Sequence, residues 1–439
     1  VRVPGRVRIS GKALMAGHSI PTPTHVVLPP AVRPGVMLAA LTGINLLNYF
    51  DRYVTAAVLP LVIKDLGISD ARAGTLGTAF ILVYAIASFA FGSFADRGPR
   101  IRLAAIGVFV WSAATFGSGL AAGFATLLLA RALVGVGEAS YAVVTPSLLA
   151  DVYPAGTRGR VLAIFYAAIP VGTALSYQIG GYVGEHHGWR QAFFVAGGPG
   201  LLIAFLLLAM PEPPRGRYDV ASKPIEPGLR TTVAALRARP SYLFNTASQT
   251  IYTFTMGGLA YWMPTYFARH RGLSLESATF GFGLVLVLAG FAGTLVGGQL
   301  GDRLARRSPS AHFALSGWAL VSSAPFILAS LLVPAGVVYW PALFAALFLL
   351  FLNTGPLNAA MANVLPPELR GRGFALYTLA IHVFGDAVSP PLIGLTSDRV
   401  GLALPVLACG LLLPIAGAVL LVGRAALARD VAALARHPA

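Results

Sequence analysis

Gly92-Ser-Phe-Ala-Asp96-Arg97-Gly-Pro-Arg100 and Gly298-Gln-Leu-Gly-Asp302-Arg303-Leu-Ala-Arg306 share the spacing Gly-x-x-x-Asp-Arg-x-x-Arg, at an offset of 206 residues from Asp96 to Asp302. Each is a polar interruption after a long apolar run. A second pair, Arg158-Gly159-Arg160 and Arg370-Gly371-Arg372, recurs at an offset of 212. A looser third pair sets Gly181…Glu185…Gly188 beside Gly394…Asp398…Gly401. Matched signals at matched places read as a duplication, so two similar halves are expected.

The runs between these markers decide what kind of halves they are. A helix needs about 20 apolar residues to cross a bilayer. Such stretches fall near 35–62, 72–95, 102–122, 125–150, 160–184 and 190–210, and again near 241–268, 276–300, 311–333, 337–363, 373–396 and 402–424. The composition agrees: 56% of residues are hydrophobic and 11% charged, against about 25% charged in soluble domains. A soluble globule is excluded. The fold expected is an all-α membrane protein of twelve transmembrane helices in two pseudo-symmetric six-helix bundles, at 35–210 and 241–424. Around them, 1–34 reads as a disordered cytosolic arm, 211–240 as a cytosolic linker with a surface helix at 229–238, and 425–439 as a cytosolic tail.

The net charge of +16 suggests nucleic acid until the basic residues are placed. With cytosolic termini, 24 of the 32 Lys and Arg fall in cytosolic segments and 6 on the opposite face, while Arg52 and Arg131 lie within spans. That asymmetry orients a membrane protein and puts both termini in the cytosol, as in a bacterial-type inner membrane. No nucleic-acid partner is expected. The lone cysteine, Cys409, excludes a disulfide framework and a Cys-based metal cluster. No metal or other cofactor is expected, and the chain is expected to be a monomer among membrane lipids.

The Gly-x-x-x-Asp-Arg-x-x-Arg stretch resembles the signature loop of the major facilitator superfamily. Within it, the first half resembles the Spinster family of lysolipid and sphingolipid transporters. The stretches that carry this are Ile44-Asn-Leu-Leu-Asn-Tyr-Phe-Asp51-Arg52, Arg131-Ala-Leu-Val-Gly-Val-Gly-Glu138-Ala-Ser-Tyr141, Ile164-Phe-Tyr-Ala-Ala-Ile-Pro170-Val-Gly172 and Pro211-Glu-Pro-Pro-Arg-Gly216. Asn-x-x-Asp-Arg is shared with organic-anion:proton symporters of the superfamily, so the span-4 stretch discriminates better. The resemblance implies alternating access, with the substrate held between the halves.

An ionisable residue at membrane depth costs at least ~2.5–3.5 kcal/mol, so each is a functional candidate. At ~1.5 Å per residue, Asp51 lies roughly 16 Å down span 1, Arg131 about 9 Å down span 4 and Glu138 about 20 Å. Arg131 and Glu138 share a face, two turns apart, and Asp51 falls between them in depth. It is therefore expected to reach one of them. A buried carboxylate near a movable cation can hold or release a proton, which makes Asp51 and Glu138 candidates for proton coupling. A guanidinium in a dry cavity binds phosphate or carboxylate in a forked geometry, which makes Arg131 the headgroup anchor. Arg52 is a second headgroup candidate, but adjacent helix residues point ~100° apart, so it is expected to face away from Asp51 and to be partly structural. The bland alternative is an ion-pair clamp. The resemblance implies the same residues for the same jobs.

Asn245, Gln249 and Tyr252 form a polar stripe on span 7, and span 10 carries Asn353, Thr354 and Asn358. With Tyr49 and Tyr141 they are candidates for the cavity wall, the alternative being helix–helix hydrogen bonds. His382 and Asp386, four apart in span 11, form a possible second titratable pair. Asp96, Arg97, Arg100, Asp302, Arg303 and Arg306 are candidates for a cytosolic gate that caps helix ends and bridges the halves in the outward-open state, then separates. Gly135, Gly137 and Gly172 are expected at close helix contacts.

The function expected is a proton-coupled secondary transporter of lysophospholipid or sphingolipid-like amphiphiles. The alternative is a small organic-anion:proton symporter of the same fold. A membrane-embedded lipid enzyme is the remote alternative: the eight histidines contain no His-x-x-x-His pair, and only His382 falls clearly within the membrane core.

Overall fold

A computed structural model of the chain describes residues 33–216 and 228–436. The expected arm over 1–32, the linker residues 217–227, the last three residues, and the side chains of Asp96, Arg97 and Arg436 lie outside the described residues. Every regular element among the described residues is helical. The first half has six columns: α1 (Pro34–Leu66), α2 (Asp70–Arg97), α3 (Arg100–Gly119), α4 (Phe124–Val152), α5 (Ala155–His187) and α6 (Trp189–Leu208). The linker helix α7 (Leu229–Arg237) follows. The second half begins with α8 (Pro240–Arg271), α9 (Leu275–Ala305) and α10 (Ala311–Leu332), and ends in three interrupted columns. These are α11 (Gly336–Phe351) with α12 (Thr354–Val364); α13 (Pro367–Ile381), a π-helical turn (His382–Asp386) and α14 (Ser389–Val400); and α15 (Ala403–Leu411) with α16 (Leu413–Arg436).

Eleven of the twelve columns are long and apolar enough to cross a membrane. The other, α8, has the length, at 32 residues. Its first three turns carry Ser241, Asn245, Thr246, Ser248, Gln249 and Thr250, which lowers its apolarity below that of its neighbours. Proline opens α1, α8 and α13, where a missing N–H costs no helical bond. Left-handed Gly67 and Gly272 close α1 and α8 at equivalent places in the two halves. Ser69 and Ser274 then cap α2 and α9, each side chain accepting the N–H three residues on.

The duplication is visible in the packing. In the first half α1 lies on α5, α2 on α4, and α3 on both α4 and α6; in the second, α9 lies on α11 and α10 on α11 and α16. The close contacts expected at glycines are present. A Cβ on Gly135 would run into the Phe80 backbone, one on Gly137 into the backbones of Trp111 and Gly107, and one on Gly172 into the Leu46 carbonyl. Such contacts suit a bundle in which packing, not water, drives association.

The halves meet mainly through α5 on α9, α14 on α2 and α1 on α8. These meetings concentrate at the end of the bundle opposite the chain termini, called here the far end. One buried apolar cluster joins both halves and draws its first-half members from far-end positions such as Val54, Val58, Leu76, Tyr177 and Phe193. A separate cluster built around Met37, Leu41, Ile101, Leu148 and Leu207 belongs to the first half alone, toward the terminus end. The bundle is thus sealed between its halves at the far end.

Candidate functional site

The ionisable residues of α1 and α4 come together inside the first half. Asp51 is 1% exposed, Arg131 2% and Glu138 0%. The expected partnership is corrected in one respect: Glu138 is held by Arg52. Arg52 donates from Nη2 to Glu138 Oε2 at 2.6 Å and from Nε to the same oxygen at 3.1 Å. The ~100° step between neighbours does turn Arg52 away from Asp51, but its long side chain then reaches across to α4. Three rings cradle its guanidinium, with centroids at 4.6 Å (Tyr49), 5.0 Å (Phe80) and 5.2 Å (Tyr84). Such contacts hold a cation without consuming its N–H donors.

Asp51 and Arg131 are neighbours that make no hydrogen bond to one another. Glu138 and Arg131 are the charges facing Asp51, with Trp111 and Thr115 of α3 beside it. Asp51 Oδ1, Glu138 Oε1, and Arg131 Nε and Nη1 are buried without a hydrogen-bond partner. Arg131 rests on the Phe80 ring at 5.4 Å, so Phe80 is shared by the two guanidinium groups. A buried polar group without a partner is costly, so a cluster holding several reads as an incomplete site. Phe80, Trp111 and Thr115 were not singled out from the sequence, since nothing distinguishes them from other apolar-span residues until the helices are docked.

The second half answers with neutral groups. Asn245 Nδ2 donates to the Leu357 carbonyl at 3.1 Å. Gln249 Nε2 donates to Asn353 Oδ1 at 3.3 Å, and the Tyr377 hydroxyl donates to Gln249 Oε1 at 3.4 Å. Asn353 donates to Leu350 O at 2.5 Å, at the break between α11 and α12. Asn245, Gln249 and Asn353 therefore tie α8 to its broken neighbour, which is the helix–helix alternative. Tyr252 and Thr354 are half-buried and Asn358 is exposed. Tyr141 is corrected: it is 1% exposed, its hydroxyl donates to Leu41 O at 2.5 Å, and its ring packs on Trp111. It braces α4 against α1 and lines no cavity. Between α8, α9, α10 and α11 lies an apolar crevice lined by Met256, Met263, Phe282, Leu286, Leu343 and Leu347.

His382 and Asp386 do pair, at 3.0 Å, within the π-helical turn. Extra-wide turns of this kind recur at functional sites. Of the terminus-end gate candidates, Arg100 is engaged within the first half. This side chain is 4% exposed and bridges nothing between the halves. It pairs with Asp151 at 2.5 Å and Glu212 at 3.1 Å, both in the first half or just after it. Glu212 also accepts the Ile101 N–H at 2.8 Å, and Arg215 donates to Gly98 O at 2.6 Å. The Pro-rich stretch after α6 is thus a strap across the start of α3, a job its proline spacing did not reveal. Asp302, Arg303 and Arg306 are exposed.

Among the described residues no group of three or more His, Cys, Asp or Glu is placed to hold a metal ion. The chemistry available is ionic: a buried and a half-buried cation, two buried carboxylates, and unused hydrogen-bonding capacity between them.

Comparison with known proteins bears on this geometry. The sequence pattern of the Major Facilitator Superfamily matches residues 41–385. Human protein spinster homolog 1 is 37% identical over 388 residues, covering 84% of this chain and 74% of the relative. Zebrafish (Danio rerio) protein spinster homolog 3 is 34% identical over 391 residues, covering 83% and 77%. Among solved structures, a bacterial homolog of the human lysosomal transporter Spinster, in an inward-facing and unoccupied conformation, superposes with a TM-score of 0.84 at 25% identity, covering 90% of this chain and 98% of that one.

Proposed function

We propose a cargo and a coupling ion for a chain that belongs to the Spinster family of the major facilitator superfamily, and that is on that ground a multi-pass membrane transporter and not an enzyme: it carries lysophospholipid or sphingolipid-like amphiphiles, coupled to protons. The observation that carries this reading is Arg131. Its guanidinium is buried with Nε and Nη1 unpartnered, which suits the forked binding of one phosphate or carboxylate. The resemblance of the first half to the Spinster family of lysolipid and sphingolipid transporters supports an amphiphile as the owner of that headgroup. The superposition on a solved bacterial homolog named inward-facing and unoccupied supports reading this conformation as open toward the cytosol. The asymmetry of the basic residues supports putting the chain termini on that same side.

Coupling follows from the Arg52–Glu138 pair. A proton taken up by Glu138 removes the charge that holds Arg52, and Arg52 can then turn toward a headgroup already engaged by Arg131. Asp51, with an unbonded oxygen beside Arg131, is the second carboxylate able to take a proton. Binding of an anion and of a proton then favour one another, as linkage requires.

The test is ligand-induced thermal stabilisation of the purified protein against lysophospholipids, sphingoid phosphates and small organic acids. Stabilisation by the amphiphiles, lost in Arg131→Ala while that variant still unfolds in one cooperative transition without ligand, is expected. Stabilisation by organic acids alone rejects the lipid cargo; stabilisation retained in Arg131→Ala rejects the anchor.

A further inference from the structure

The third duplicated motif, Gly181…Glu185…Gly188 and Gly394…Asp398…Gly401, plays no part in the site above. It lies at the far end, and the structure gives each of its positions a task. Glu185, in the last turn of α5, reaches the other half, where its Oε2 accepts the backbone N–H of Glu276 in the first turn of α9 at 2.5 Å. Asp398, in the last turn of α14, does the same in reverse: Oδ1 accepts from Asp70 N at 2.8 Å and Oδ2 from Ala71 N at 3.0 Å, in the first turn of α2. Ser69 and Ser274 already serve the N–H groups of Arg72 and Ser277. The carboxylates therefore take donors that each helix's own cap leaves open, at the end where the helix dipole favours a negative charge.

The glycines complete the arrangement. One turn before each carboxylate, the space of a missing Cβ is filled by the opposite half: Thr279 against Gly181, and the Asp70 backbone against Gly394. Three residues after each carboxylate, Gly188 (φ 90°, ψ 154°) and Gly401 (φ 81°, ψ 159°) stop the helix in a conformation open essentially to glycine alone. A further polar pair crosses between the halves beside each cap: the Asp70–Arg269 ion pair at 2.8 Å, and the Glu276–His186 contact at 3.0 Å.

We infer that Glu185 and Asp398 are paired latches that hold the far end shut, so that the duplicated motif sets which side of the membrane the empty protein faces. Each latch exists only while the halves touch at that end, so it stabilises one conformation and not the other. The inference rests on the halves moving apart during transport, and not on what they carry.

The test is the rate at which a membrane-impermeant maleimide modifies Ala73→Cys, a fully buried far-end position, in the purified protein without added cargo. Where opening is fast, this rate follows the open fraction. Glu185→Ala and Asp398→Ala should each raise it about five-fold, the usual effect of losing a helix cap, and together roughly 25-fold. The exchange Glu185→Asp with Asp398→Glu, which keeps both charges, should raise it less than either alanine. Buried Cys409 reports unfolding in the same sample and should stay unmodified. An unchanged rate in both single variants, or Cys409 reacting in step with Ala73→Cys, overturns the inference.

Discussion

Removing Arg52 should cost far more than removing its partner's charge. Arg52→Leu leaves Glu138 with no exposed surface, no counter-ion on Oε2 and an Oε1 that already lacks a hydrogen bond. Breaking a buried ion pair from one side costs about 3–5 kcal/mol, because the stranded charge keeps its desolvation penalty. Glu138→Gln is the gentler break. It retains an acceptor oxygen, and Arg52, with 18% of its side chain exposed, keeps three aromatic faces within 4.6–5.2 Å. A hydrogen bond to a charged group is worth about 1.5–3 kcal/mol, part of which the rings and water restore, so this variant should lose about 1–2 kcal/mol. Combining the two removes the stranded charge. The double variant should be more stable than Arg52→Leu alone, with a coupling of about 2–3 kcal/mol, within the range for residues in contact. Equilibrium unfolding of the parent, both single variants and the double variant in mixed micelles measures all three quantities. If Arg52→Leu is no costlier than Glu138→Gln, or the two losses simply add, Glu138 is not a charge held by Arg52 and the coupling route through that pair fails.

Two further predictions follow from the same geometry. Asp51→Asn should leave amphiphile binding within a few-fold of the parent while uptake into proteoliposomes no longer responds to an imposed pH gradient; an unchanged response removes Asp51 from the coupling. Gly137→Ala places a methyl group against the backbones of Trp111 and Gly107, neither of which can rotate aside, so it should lose about 1–3 kcal/mol by overpacking; a variant as stable as the parent shows that α3 and α4 part more easily than their contact implies.

The helices were legible in the sequence because a bilayer imposes length and apolarity on every span. Even α8 was placed within a few residues, although its polar first turns weaken that signal. What pattern could not supply was reach. Two facts about position 52 compete: the angle between neighbours on a helix, which sequence reasoning can use, and the length of an arginine, which finds a partner only once α4 is docked. The second decided the pairing with Glu138. The partners of Arg100 stayed hidden for a related reason. A signature loop says that charges sit together between spans, and not which of the chains passing there supplies Asp151 and Glu212. The third duplicated motif was visible as a coincidence of three residues, and its meaning needed the opposite half, since both its glycines and its carboxylates are complemented across the interface.

The duplication also explains why an ionic site and an apolar crevice occupy one molecule. Gly67 and Gly272 close the first columns of the two halves at an offset of 205, and the Arg-Gly-Arg loops after the fourth columns recur at 212. At those offsets Asp51 and Arg52 correspond to Met256 and Gly257, and Arg131 and Glu138 to Leu343 and Leu350. Met256 and Leu343 line the crevice. The same two places in the repeated fold are therefore charged in one half and apolar in the other. Under the proposed function, an anionic headgroup has buried guanidinium donors at these positions in the first half alone. With Met256, Gly257, Leu343 and Leu350 at the matching positions, none of them ionisable, the proposed proton uptake would act through the first half alone and bias the two conformations from there.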